Sequence, residues 1–196
     1  MNTMIKHLSP SASDMIRADH THVLATFHQY EVDGNPRDKK ALANAICLSL
    51  DIHAKLEEEI FYPAMRESLS DKELLDKSAS EHAELHRLVY RLREMEPTDP
   101  AFDATLMELM REVMHHVADE ETRMLPEAES LLGEDRMAEL GAEMTRRRLQ
   151  LMAPHAGEIA SNTIRSIPAS YALMAAGALV AGTYIVKRAF GRHYVG

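Results

Sequence analysis

One phrase occurs twice in the chain and constrains the fold more than any other feature. Residues 53–63 read HAKLEEEIFYP and residues 116–126 read HVADEETRMLP, so both have the form H-x-x-x-E-E-x-x-x-x-P. Residues four apart in a helix lie on one face, one turn apart, so each copy places a glutamate beside a histidine. In the first copy, Pro63 then ends or kinks the helix. Two helices of one chain therefore carry the same chemical arrangement.

The sequence around both copies is helical in its pattern. Apolar residues recur with the period of an α-helix, and no segment shows the alternation of a strand over a convincing length. Four helices with short connections pack antiparallel, so the sequence predicts an all-α, up-down-up-down four-helix bundle over residues 12–132, ended by Gly133. We expect an additional helical segment over 134–165 and an apolar C-terminal tail over 167–190.

Seven polar side chains fall on the helix stripes that the period assigns to the core. Asp19-His20 precedes the first copy of the phrase and Glu81-His82 precedes the second, so the bundle reads as a duplicated helical hairpin. Burying an unpaired carboxylate is costly, and no Lys or Arg lies on these stripes. The pattern therefore predicts a cation from outside the chain. The candidate metal ligands are His20, His53, Glu57, His82, His86, His116 and Glu120.

The number of candidate ligands indicates two metal ions. A tetrahedral zinc ion takes four ligands, whereas these stripes offer five imidazoles and two carboxylates. If both carboxylates bridge and an oxide or hydroxide is shared, two six-coordinate ions are filled except for one open position. Mixed imidazole and carboxylate ligation with an open position suits iron, and zinc or manganese stays an alternative.

The order of the ligands resembles that of the hemerythrin-like, or HHE cation-binding, family. The matching residues are His20, then His53-x-x-x-Glu57, then His82-x-x-x-His86, then His116-x-x-x-Glu120. The resemblance implies a four-helix bundle around two iron ions with a bridging oxide or hydroxide. It also implies that the five histidines are terminal ligands, that the two glutamates bridge, and that an open iron position binds dioxygen, nitric oxide or peroxide.

One position departs from the oxygen-carrying members of the family, which resemble H-x-x-x-x-D at the last site. Here Glu120 lies four residues after His116, and Glu121 follows. The spacing of the first copy favours Glu120 as the bridge, with Glu121 as the alternative.

A glutamate at this position resembles the pattern of the regulatory and iron-handling members of the family. This resemblance implies sensing, storage or a response to oxidative or nitrosative stress. The alternatives are a di-iron enzyme that consumes peroxide or repairs iron centres, and a structural metal-binding bundle tethered to a membrane.

Three further side chains are candidates to hydrogen-bond a ligand or a bound oxidant: Tyr30, Tyr62 and Glu121. For the tyrosines the alternative is an ordinary place in the core. The second glutamate of each phrase, Glu58 or Glu121, is also typical of a solvated helix face.

Charge and hydropathy give expectations about partners and location. The formal net charge of −9 argues against sequence-independent binding of nucleic acid, which needs a basic face. Residues 1–14 contain no apolar run typical of a signal peptide, so we expect a cytoplasmic bundle. Residues 167–186 of the tail at 167–190 are long enough to span a bilayer and precede Lys187 and Arg188, which predicts membrane association. The alternatives are a buried packing partner and a contact in a homo-oligomer.

Overall fold

The structure, a computed structural model, describes residues 9–69 and 72–155. Over these residues the chain contains helices and no strand. The helices are α1 (Ala12–Phe27), α2 (Pro36–Leu56), α3 (Tyr62–Ser68), α4 (Glu73–Glu94), α5 (Phe102–Asp119) and α6 (Leu125–Met152). A first hairpin, α1 and α2, packs on a second, α4 and α5, and α1 also contacts α5. The predicted all-α four-helix bundle is confirmed.

Local signals set the starts of the first two helices. The Ser11 hydroxyl accepts a hydrogen bond from the backbone N–H of Asp14 at 3.2 Å, at the start of α1. The Asn35 side chain accepts one from the N–H of Arg37 at 2.8 Å, and Pro36 is the first residue of α2. Both caps satisfy N–H groups that have no partner within the helix.

Both copies of the repeated phrase contain a π-helical turn at the same place. The first turn spans Glu57–Phe61 between α2 and α3, and the second spans Glu120–Met124 between α5 and α6. In the first, the N–H of Tyr62 donates to the carbonyl of Glu57, five residues earlier, and the second has the equivalent bond. The proline of each phrase follows directly. Because its ring would clash with the carbonyl four residues earlier, the wider turn lets the helix continue past it.

The core consists of two apolar clusters on either side of a polar layer. One cluster contains Ile16 and Phe61, and the other contains Val23 and Val113. On α1, His20 lies between Ile16 and Val23, where the two clusters meet. Except for His86, the predicted polar positions on the other bundle helices occupy the same layer, which the apolar clusters shield from solvent.

Helix α6 contains residues 134–152 of the helical segment predicted over 134–165. Gly133 has φ +69° and is its non-helical residue, in the left-handed region that glycine adopts without strain, so the predicted break is confirmed. Beyond it, Met137 and Met144 are buried and α6 packs on α1. Gly141 permits the approach, because a Cβ there would lie 2.0 Å from the carbonyl oxygen of Pro10.

A short 3₁₀ turn, Ala153–His155, follows α6. The rest of the predicted segment, 156–165, and the apolar tail at 167–190 lie outside the described residues. Within 9–69 and 72–155, no helix is both long and apolar enough to cross a membrane. Membrane association through the tail therefore stays a prediction.

The periodicity predicts a buried stripe on α4 at Leu75, Ala79, His82, His86 and Val89, and it is wrong at two of these positions, because Ala79 is exposed and His86 is half-exposed. The positions three and four residues after a buried residue lie on opposite sides of it around the helix. In α4 the buried neighbour of His82 is three residues on, at Leu85, and not four residues on, at His86. The buried residues are Leu75, Ser78, His82, Leu85, Leu88, Val89 and Leu92.

Candidate metal centre

Six of the seven predicted ligands converge in the polar layer. All six are buried, with 0 to 5% of each residue exposed. Their donor atoms form two groups, and within each group all atoms lie within 4.8 Å of one another. One group is His20, His53, His116 and Glu120, and the other is Glu57, His82 and His116. Because His116 belongs to both, the groups are adjacent, as two neighbouring cations require.

Each central carboxylate touches one imidazole from each hairpin. Glu57 Oε2 lies 3.3 Å from Nε2 of His53, on its own hairpin, and 3.3 Å from Nε2 of His82 on the other. The equivalent contacts of Glu120, at 3.4 and 3.5 Å, are to Nε2 of His20 and of His116. This placement suits a carboxylate that bridges two ions, the role predicted for both residues.

The Tyr62 hydroxyl reaches the same place. It donates to Oε1 of Glu120 at 2.8 Å and lies 3.3 Å from Oε2 of Glu57 and 3.2 Å from Nε2 of His82. The π turn makes this reach possible, because its five-residue hydrogen bond places Tyr62 one turn beyond Glu57 on the same face. The phenol oxygen is thus a further donor atom in the centre.

Every imidazole of the centre also meets a carboxylate on its outer side. In each case Nε2 faces the central carboxylates and Nδ1 faces the outer one. Three of these contacts are hydrogen bonds, with Nδ1 to oxygen distances of 2.9 Å for His20 and Glu121, 3.0 Å for His82 and Glu58, and 3.2 Å for His116 and Glu81. The fourth is a longer contact of 3.5 Å between Nδ1 of His53 and Asp19, and it does not form a hydrogen bond. Metal-binding histidines almost always have such a partner, which fixes the ring orientation and makes the nitrogen a better ligand.

These outer contacts follow one rule in both hairpins. The acid before the first histidine, Asp19 or Glu81, contacts the second histidine of its own hairpin. The second glutamate of each phrase, Glu58 or Glu121, contacts the first histidine of the other hairpin. The prediction of a purely solvated Glu58 is therefore wrong, although its side chain is 40% exposed. The signal in the sequence was that both acids recur in both halves.

The structure does not bring His86 and Tyr30 into the centre. The His86 side chain is 40% exposed, and its Nε2 lies 3.2 Å from Oε1 of Glu58. Its role as a ligand stays a prediction that this geometry does not support. Tyr30 lies ten residues after His20 and beyond the end of α1, and its hydroxyl donates to Asp103. The predicted hydrogen bond from Tyr30 to the centre is not formed.

Electrostatics in the metal-free chain differ among the candidate ligands. Burial opposes protonation of His20, but Glu120 and Glu121 raise the pKa of His20 above its usual value. Burial lowers the pKa of His82 to about 4 and also lowers the pKa of His53, so both imidazoles stay neutral, as a metal ligand must. Burial, and then the charge of Glu120, raises the pKa of Glu57 well above its usual range. Burial opposes the ionisation of Glu120, but His116 and its neighbours hold the pKa of Glu120 below its usual range. Glu57 therefore holds a proton more readily than Glu120 does, and a cation bound at the centre would displace that proton.

Four inward-facing donor atoms have no hydrogen-bond partner within the described residues: His20 Nε2, His53 Nε2, Glu57 Oε1 and Glu120 Oε2. Buried polar atoms are nearly always paired, and all four belong to the donor groups. Imidazole nitrogen with carboxylate oxygen is a donor set that suits iron, zinc or manganese. The residues present therefore fit bound metal ions.

Comparison with known proteins agrees with this geometry. Residues 11–128 match the family described as Hemerythrin HHE cation binding domain. The chain therefore belongs to the hemerythrin HHE cation-binding domain family, as its ligand order predicted.

Two related proteins and one solved structure show the range of this similarity. A DNA nickase of Nostoc sp. is 31% identical over 114 residues, which are 57% of this chain and 31% of that protein. An uncharacterised hemerythrin-like protein of Schizosaccharomyces pombe is 24% identical over 136 residues, which are 68% of this chain and 67% of that protein. The crystal structure of a hemerythrin HHE cation binding domain-containing protein from Mycobacterium kansasii shares the fold, with a TM-score of 0.65 and 19% identity, over 81% of this chain and 99% of that chain.

Proposed function

We propose that the centre holds two iron ions joined by Glu57, Glu120 and a bridging oxide or hydroxide, and that one open iron position binds a small oxidant. The oxidant is dioxygen, nitric oxide or peroxide, and binding serves sensing, storage or a stress response. The observation that carries the proposal is the arrangement of four imidazoles around two buried carboxylates, each with Nε2 inward and Nδ1 on an outer carboxylate. Two adjacent irons would supply electrons to an oxidant and recover them on reduction.

The glutamates, the imidazoles and Tyr62 have different roles around the two proposed ions. Glu57 and Glu120 connect the hairpins through their contacts to imidazoles of both, so they hold the spacing of the ions. The outer carboxylates increase the strength of the imidazoles as ligands. Tyr62 supplies a hydroxyl that can donate to a carboxylate or to a bound oxidant.

The space beside the centre favours a very small ligand. A cavity of about 10 Å³ borders His20 and His53 and is otherwise lined mainly by apolar side chains, among them Val23, Leu50 and Val113. That volume corresponds to roughly one water molecule. A diatomic gas or peroxide is therefore the class of ligand that the surroundings suit.

The donor set disfavours a ferritin-like oxidase. Such centres use a glutamate from each of two helices and Glu-x-x-His pairs from the other two. Among residues 9–69 and 72–155, Glu57 and Glu120 are the two buried carboxylates, and each follows its histidine in His-x-x-x-Glu. The activity named for the Nostoc relative is not carried over, because this chain spans 31% of that protein and its net charge is −9.

The test is to load the full-length chain with Fe(II) without oxygen and follow its absorption during exposure to air, nitric oxide or peroxide. The proposal predicts a new band that reduction removes and a second exposure restores. Bound iron whose spectrum does not respond to any of the three would contradict it. Repeated loss of added peroxide without a stable band would instead assign the centre to an enzyme.

A further inference from the structure

A chain of contacts leads from α6 into the metal centre. Arg148, near the end of α6, pairs with Asp19 on α1 through both guanidinium nitrogens. Nη1 lies 2.6 Å from Oδ1, and Nη2 contacts Oδ2. The same Oδ2 lies 3.5 Å from Nδ1 of His53. The outer partner of one central imidazole is thus held by a helix that lies outside the four-helix bundle.

The geometry of this pair fixes the carboxylate. An arginine fork on a carboxylate sets the plane of the group as well as its position. Both side chains are shielded, with 26% of Arg148 and 14% of Asp19 exposed. Gly141, Met144 and Arg148 are spaced by three and four residues, so they share the face of α6 that meets α1. The close approach of α6 to α1 at Gly141 therefore also brings Arg148 near enough to contact Asp19.

The equivalent carboxylate of the second hairpin is held differently. Glu81 lies 3.2 Å from Nδ1 of His116, and its cation is Lys77, one turn away on the same helix at 3.4 Å. The Lys77 side chain is 49% exposed and also contacts Asp119. A flexible ammonium group orients a carboxylate less firmly than an arginine fork does. The two halves of the centre are alike in their ligands and unlike in this outer support.

We propose that Arg148 is a positioning residue for the metal centre, which orients His53 through Asp19, so that α6 forms part of the site. The proposal rests on the proposed function in one respect, that the centre binds metal. It goes beyond that function because it assigns a role in metal binding to a residue outside the bundle.

The test compares two arginines of α6 in the full-length chain. Arg147 is the matched control, because it pairs with Glu59 and both side chains are half-exposed. Fe(II) and, separately, Zn(II) are titrated without oxygen against a competing chelator. We expect Arg148→Gln to weaken metal binding by about 10-fold, the lower end of the loss typical of direct outer partners of metal ligands, because Arg148 acts through Asp19. Arg147→Gln should leave the affinity unchanged, and Arg148→Lys should recover part of it.

A second comparison separates positioning from general destabilisation. Asp19→Asn should weaken binding to a similar extent, and Arg148→Gln added to it should cause little further loss, since both act through His53. Additive losses, or a lower melting temperature of the metal-free protein with unchanged metal affinity, would overturn the inference. If the Arg148→Gln variant binds metal as tightly as the Arg147→Gln variant, the inference about Arg148 is overturned, but the proposed function is not. If the unsubstituted chain binds no metal, both fall together.

Discussion

Glu58 and His82 belong to different hairpins, yet Oε1 of Glu58 lies 3.0 Å from Nδ1 of His82. The reciprocal contact joins Glu121 of the second hairpin to His20 of the first, at 2.9 Å. Each hairpin therefore supplies an outer partner for a histidine of the other. Because neither hairpin contains a complete site, the centre is complete only when the two hairpins are packed together.

Removal of two central imidazoles should abolish metal binding. His53 and His116 lie in the donor group that also contains Glu120, and His116 lies in both groups. We expect His53→Ala with His116→Ala to lose bound iron and to lower the melting temperature measured with iron present. A ligand at 100 to 1,000 times its Kd stabilises a fold by about 3 to 4 kcal/mol, which sets the scale. His115→Ala, at an exposed neighbouring position, is the control, and unchanged iron content in the double variant would refute the ligand assignment.

The outer glutamates should matter for metal affinity despite their partial exposure. Glu58→Gln or Glu121→Gln keeps the shape but removes the charge that orients an imidazole. We expect each to weaken binding of Fe(II) by about 10- to 100-fold. Glu59→Gln is the matched control, because Glu59 follows Glu58 and pairs with Arg147 at the surface. Equal affinities for the Glu58 and Glu59 variants would show that the outer contact is not used.

Tyr62 should stabilise the metal-free protein through its hydroxyl. Tyr62→Phe leaves the ring in place and removes the donor that lies 2.8 Å from Oε1 of Glu120. A buried acceptor that loses its partner costs about 1 to 3 kcal/mol. Urea unfolding in the presence of a chelator would measure this loss. Tyr90→Phe, at a side chain that is 69% exposed, should change the unfolding free energy by less than about 0.5 kcal/mol. A Tyr62 variant as stable as that control would contradict the assignment.

Gly141 should be sensitive to a single added methyl group. The Cβ of Gly141→Ala would lie 2.0 Å from the carbonyl oxygen of Pro10, so α6 must move away from α1. Overpacking of this kind costs about 1 to 3 kcal/mol or more. Because Arg148 lies seven residues further along the same face, metal affinity should fall as well. Glu143→Ala, at an exposed position of the same helix, should change neither quantity, and a fully stable Gly141→Ala would show that the contact is not tight.

Much of the fold and most of the centre could be predicted from the sequence. The polar residues on the helix stripes correctly predicted six buried donor residues, and Gly133 correctly predicted the break in α6. His86 was misplaced because the prediction took the position four residues after His82 as buried, whereas packing against the neighbouring helices buries the position three residues after it, Leu85.

The outer contacts could not be read from spacing within one helix. Glu58 and His82 meet only because two hairpins pack in one register, and Arg148 reaches Asp19 only because Gly141 lets α6 approach α1. The π turns were also missed, since a helix period does not distinguish them from α-helix. The proline six residues after each bridging glutamate was the available signal.

The most direct test of the central claim is the metal content of the purified full-length chain. Iron, zinc and manganese are measured per chain, after anaerobic loading and removal of loosely bound metal. The proposed centre predicts two iron ions per chain, and their loss in the variant with His53→Ala and His116→Ala. No bound metal, or a single zinc ion, would contradict it.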